Sequence, residues 1–172
     1  IEICAYWNEY ERLGTRSEQT AEDIRRKLKE TGERKRHIRL SDARALDGAE
    51  RLALAQVLTR KRTIRFSDLS LDAHEVEAAI DPSIILHDWS ESDRAELLQR
   101  PLFGFASYGR VRFHHRSASE FLAAQRLRRL SADGHMPRAA LFRLLFGECY
   151  GQDLVFSSMR PVAAWLAIAD DA

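Results

Sequence analysis

The residues of this 172-residue chain that could do chemistry are six histidines, two cysteines and a scatter of serines. They are densest at His114-His115, followed closely by Ser117, Ser119 and Glu120. Imidazole beside hydroxyl and carboxylate supplies the parts of a hydrolytic or metal site. The spacing works against both. Adjacent residues on a strand point to opposite faces, so two neighbouring imidazoles do not ligate one ion. His37, His74, His87 and His135 stand at no zinc-like spacing from one another or from Cys4 and Cys149. No Gly-x-Ser-x-Gly elbow surrounds Ser117 or Ser119. Ser117 with Glu120 three residues later reads instead as a capping box. Cys4 and Cys149 read as small buried apolar residues, and two cysteines fit a reducing compartment.

Phosphate-cradling loops are missing too. Neither Gly-x-x-x-x-Gly-Lys-Ser/Thr nor Gly-x-Gly-x-x-Gly occurs, so nucleotide chemistry would need its main machinery outside this segment. The chain carries 27 Lys plus Arg against 26 Asp plus Glu, a net +1 that argues against a general nucleic-acid coat protein. Basic residues do cluster locally, eight of fifteen between Arg25 and Arg39. Glu30 and Glu33 interleave there, which reads as a solvated helix end and connector; a patch for nucleic acid or an acidic partner is the sharper reading. Arg126, Arg128 and Arg129 crowd the end of a later helix, where the dipole favours cations. No aromatic residues interleave with either cluster, so a stacking platform for single strands is not indicated. Nor does any apolar run approach the ~20 residues that span a bilayer.

The elements that must position these groups follow from periodicity and caps. Residues 1 to 31 read as two helices divided near Gly14, the second capped by Thr15 or Ser17, with Ala21, Ile24 and Leu28 on one stripe. A polar connector follows to residue 40. Ser41-Asp42 opens a helix whose apolar face is Leu46, Ala49, Leu52, Ala53, Val57 and Leu58. Thr63 to Phe66 reads as a short strand. Residues 72 to 80 have helical composition and end at Asp81-Pro82. Ser90 with Asp93 caps a helix that Pro101 stops. Residues 102 to 115 read as a hairpin turning through Ala106-Ser107-Tyr108-Gly109, with Val111, Phe113 and His115 on one face. A helix from Ala118 to Leu130 comes next, and two apolar helical stretches surround Leu141 to Phe146 and Val162 to Ile168. The expected fold is mainly α. Helices, a short strand and then a hairpin is the ordering of a winged helix.

Residues 113 to 130, Phe-His-His-Arg-Ser-Ala-Ser-Glu-Phe-Leu-Ala-Ala-Gln-Arg-Leu-Arg-Arg-Leu, resemble the winged-helix segment of NACHT-type signal-transduction ATPases of the STAND class. Trp7 with Arg12 to Ser17 resembles the helical domain that follows the nucleotide core in that family. Gly48 to Ala53 resembles the opening helix of the winged helix. Arg160 to Ala167 resembles the entry to a helical-repeat sensor region. The resemblance implies a helical domain at 1–40 following an ATPase core that this segment lacks, a winged-helix-like domain at 41–133, and the first helices of an α-superhelix at 134–172. It also implies an interior piece of a longer protein, in keeping with a start at Ile1 and apolar character near the other end.

In that family the winged helix closes over ADP held by the core, and a histidine touches the β-phosphate. By motif position that nucleotide-sensing residue is His115, while His114 stands where the family carries an apolar residue. The implied cofactors are ADP and ATP, with Mg in the core, none bound by this segment alone. The implied partners are the ATPase core of the same polypeptide, further copies on activation, and a sensed ligand; the setting is cytoplasmic, without a membrane. An imidazole can donate to a phosphate oxygen, most strongly when protonated. Exchange of ADP for ATP would then release the domain as a hinge switch, in bacterial defence or in signalling, including transcription regulation. The segment itself carries no catalytic motif, though the parent family hydrolyses ATP. The alternative reading is a winged helix that binds DNA through Arg110, Arg112 and Arg128. A hydrolase built on His115 and Glu120 is the least supported.

Overall fold

The computed structural model describes residues 17–29, 40–66, 79–106 and 109–170. The expectations for the first helix, Cys4, the Gly14 terminus, the connector at 31–39, the helical stretch at 72–78 and turn residues 107–108 lie outside the described residues. Within them the architecture is mainly α, as the sequence predicts, with one four-stranded sheet and a separate two-stranded hairpin.

Helix α1 spans Ser17–Lys29 and buries Ile24. Asp23 gathers its basic neighbours, Arg26 at 2.6 Å and Lys27 at 2.9 Å. Helix α2, Asp42–Thr59, begins as expected at Ser41, whose hydroxyl accepts the Arg44 N–H at 3.3 Å. Ala45, Ala49, Leu52 and Ala53 form its buried face. Gly48 lets the helix approach its neighbours closely, since a Cβ there would lie 2.6 Å from the Trp89 ring. Leu58, expected on the apolar face, is exposed instead, in the last turn before the helix ends at a left-handed Arg60.

Strand β1 (Thr63–Arg65) pairs in parallel with β2 (Ala79–Ile80) and antiparallel with β4 (Arg110–Phe113), which pairs with β3 (Phe103–Phe105). The sheet order is β2-β1-β4-β3. Residues 79–80, expected in a helix, are therefore strand. Asp81-Pro82 starts a helix rather than ending one. The Asp81 carboxylate accepts the Ser83 N–H at 2.9 Å and Pro82 takes the first position of helix α3, Pro82–Ile85. Helix α4, Glu91–Leu98, has the predicted cap, Ser90 Oγ accepting from Asp93 N–H at 3.1 Å. Arg51 ties α2 to this region. Its guanidinium holds both oxygens of Asp88 at 2.7 and 3.0 Å, and that hydrogen bonding lowers the Asp88 carboxyl to about 2.

Helix α5, Arg116–Ala132, buries Ala118, Leu122, Ala123, Ala124 and Leu127 against α2 on one side. Helix α7, Arg160–Asp170, covers another side, with Trp165 edge-on to Phe121 at 5.1 Å. Helix α6 (Arg138–Leu145) was expected, but the hairpin that follows it, β5 (Phe146–Cys149) and β6 (Gln152–Val155), was not. Tyr150 (φ 53°) and Gly151 (φ 73°) make its turn, and two positive φ values in a two-residue loop suit the twist of a hairpin. One buried cluster runs from Ile24 to Trp165.

Candidate functional site: the cationic rim at the start of helix α5

Val111 and Phe113 face the core from β4, so Arg112 points outward. His115 would share the inner face if the strand continued. It does not. The strand ends at Phe113, and His115 (φ −124°, ψ 129°) becomes the N-cap of α5 through its main chain alone, its carbonyl accepting the N–H groups of Ala118 at 3.2 Å and Ser119 at 3.4 Å. The imidazole makes no cap hydrogen bond and is exposed. This placement corrects the capping box. The helix opens at Arg116, two residues before the expected Ala118, which leaves Ser117 exposed inside the first turn. Glu120 is no cap partner of Ser117; it accepts from Arg116 Nε at 2.7 Å, an i,i+4 pair. Ser119 is buried, its hydroxyl donating to the Arg116 carbonyl at 2.8 Å.

His114 is fixed differently. Its N–H donates to the Leu102 carbonyl at 3.1 Å, and its ring lies over Gly104, where a Cβ would come within 2.7 Å of Cε1. Glycine at 104 is what lets the imidazole lie down on the hairpin. The two histidine rings sit 6.4 Å apart, centre to centre. Among the described residues neither imidazole bonds to a serine or a carboxylate, so a nucleophile–base pair is not assembled here.

A second segment reaches the same end of the sheet. Ile64 lies opposite Val111 and Arg65 opposite Arg110. Moving back along β1 and forward along β4 therefore brings residues 60–62 toward 113–116. The turn is held tightly: Thr59 Oγ1 donates to the Ala55 carbonyl at 2.7 Å, and Gln56 Nε2 donates to the Arg62 carbonyl at 2.9 Å. Lys61 turns away to the Ala79 carbonyl at 3.2 Å. Arg60 and Arg62 remain exposed, as do Arg112, His114, His115 and Arg116. Sequence reading missed Arg60 and Arg62 because only strand register joins them to the histidines.

The arginines of the DNA-binding alternative do not form one cluster. Arg110 and Arg112 share the outer face of β4, whereas Arg128 lies about 18 Å along α5 from Arg116. Helix α4 carries Glu91, Asp93 and Glu96 against one cation, Arg94, which donates to the Trp89 carbonyl at 2.6 Å.

A second charged constellation is internal. Arg126 reaches Asp47 at 2.8 Å and Arg129 reaches Glu50 at 3.1 Å, both across the seam between α5 and α2. Glu50 is 1% exposed, and its Oε2 has no hydrogen-bond partner among the described residues. Burial pushes its carboxyl up to about 7, against the pull of Arg129 and Arg126. Cys149, expected to be buried, is exposed on β5. Among the described residues no three His, Cys, Asp or Glu side chains converge as a metal site would need, and no helix is long and apolar enough to cross a membrane. No protein-family model, curated protein or solved structure matches this chain.

Proposed function

We propose that this chain is a regulatory, non-catalytic segment of a STAND-type NTPase. Its task is to close over ADP bound in an ATPase core of the same polypeptide and to relay ligand sensing into self-assembly, in bacterial defence or signalling. The setting proposed is the cytoplasm, in keeping with the free thiol of Cys149. The observation that carries the reading is His115. Its main chain does the structural work of starting α5, while its imidazole stays exposed at the junction of hairpin and helix, where a surface docking from outside would meet it. The separation of Arg128, far along α5, from Arg110 and Arg112 on β4 speaks against the DNA alternative, because its three arginines do not form one phosphate-contacting cluster.

The test is His115→Ala in the full-length protein that carries this segment. Retention of labelled ADP through desalting, and oligomeric state without ligand, are the readouts. Faster ADP loss with spontaneous assembly is expected. Unchanged ADP release rejects the role of His115.

A further inference from the structure

Within that reading, the cationic rim extends well beyond one imidazole. Arg60 and Arg62 come from the α2–β1 turn; Arg112, His114, His115 and Arg116 come from the end of β4 and the start of α5. All six are exposed, and the carboxylate seen among them is Glu120, bonded to Arg116. Among the described residues no ion pair reaches Arg60, Arg62 or Arg112. The contrast with the rest of the molecule is informative. Arg26, Arg51, Arg126 and Arg129 each reach a carboxylate within 3.1 Å. Exposed guanidinium groups from two segments, with no ion pair to Arg60, Arg62 or Arg112 among the described residues, raise the local potential and favour an anionic occupant.

The backbone supporting the rim is specified. Arg60 sits at φ 58°, a conformation that L side chains adopt rarely. The turn around it is fixed by Thr59 and Gln56, and the imidazole of His114 is seated by Gly104. The guanidinium groups thus start from anchored backbone on both sides of the rim. A single phosphate can be met by one segment alone. Engaging both at once requires an anion with charge at two or more centres.

We propose that Arg60 and Arg62, together with Arg112 and His114, form a binding surface for a chain of at least two phosphates. It lies beside His115, and it rests on the proposed function only for the source of that chain. The shared chemistry is the phosphate chain itself, which a nucleoside diphosphate or a nucleic-acid backbone supplies. Planar guanidinium groups suit it because they donate two parallel hydrogen bonds to phosphate oxygens.

The 172-residue chain is titrated with inorganic pyrophosphate, inorganic orthophosphate and a 15-nucleotide oligothymidylate, followed by amide chemical shifts. Pyrophosphate is expected to shift residues 60–62 and 112–116 together and to bind about tenfold more tightly than orthophosphate, the scale of one additional charge-assisted contact. Arg60→Ser/Arg62→Ser is expected to erase that preference, with its amide spectrum elsewhere confirming the fold. Oligothymidylate binding at the same residues with a steep salt dependence, and no pyrophosphate preference, assigns the chain to a nucleic-acid backbone and overturns the nucleotide source. Equal binding of orthophosphate and pyrophosphate, with no oligothymidylate binding, overturns the surface. So does unchanged binding by the double variant. The two proposals fail separately. Pyrophosphate binding here with normal ADP retention in His115→Ala removes the sensing role and keeps the surface; faster ADP loss without pyrophosphate binding does the reverse.

Discussion

Arginine does opposite work in two regions of this molecule. Along the α2–α5 seam Arg126 and Arg129 are matched to Asp47 and Glu50, and the carboxylate of Glu50 is almost wholly withdrawn from water. At the rim, Arg60, Arg62 and Arg112 stand in solvent. The same side chain is governed by different physics in each place. Inside, the desolvation of a carboxylate decides the energy, and protons are the relevant variable. Outside, water and salt screen each charge, so the rim contributes little to stability and remains available to an anion. Charges in the seam belong to the fold, and those at the rim are the ones proposed for recognition.

The comparison breaks first if the seam is held by its ion pairs rather than by apolar packing. Leu122 is 0% exposed on α5, in the cluster that also contains Leu52 and Ala53 of α2. Leu122→Ala is expected to cost about 2–5 kcal/mol, the range for emptying a packed leucine site. Urea unfolding gives the number. A loss below that range would move the weight of the seam onto Asp47, Glu50, Arg126 and Arg129.

Next in size is the proton dependence of Glu50. Its carboxyl titrates at about 7 in the fold and at an ordinary 4.5 when free. The folded state therefore binds the proton more tightly than the unfolded state. The stabilisation is complete below pH 4.5 and is lost as the pH rises through 7. Glu50→Gln keeps the shape and removes the titration, so it should be more stable than the parent at pH 8 by roughly 3 kcal/mol. The advantage should shrink toward pH 5. Denaturation of both proteins at three pH values checks it, and parallel pH profiles would show that Glu50 titrates normally.

How much of this was legible beforehand depends on how local the signal is. Ser41 and Ser90 mark their helices because a cap is a contact across three residues. The hairpin at 103–113 announces itself by alternation next to Gly109, which takes φ 65°. Strand β2 does not, because Ala79 and Ile80 are strand only by virtue of Thr63 and Ile64, sixteen residues away. Helical composition had no competing local signal there. The β5–β6 hairpin hides behind Glu148 and Asp153, like charges facing each other across the ladder, where alternating apolar residues would have given it away. Tyr150-Gly151 was the available clue. At the site, His115 stood out from its motif, whereas Arg60 and Arg62 required register. Glu50 was invisible in principle: a charged residue beside Ala49 reads as solvent-facing until Arg129 is seen to cover it.

The smallest expected effect is the most discriminating for the comparison. Arg112 is exposed, lies opposite Gly104 across the ladder, and has no ion pair among the described residues. Replacing it with serine removes a charge but no buried contact, so stability should stay within about 0.5 kcal/mol of the parent. Arg129→Ala provides the contrast, because it strands the buried carboxylate of Glu50 and should destabilise the protein most at high pH, where that group is ionised. Thermal unfolding of both variants at pH 8, at low and high salt, separates the two kinds of arginine. If Arg112→Ser loses as much stability as Arg129→Ala, the rim is structural, and the division between fold charges and recognition charges falls with it.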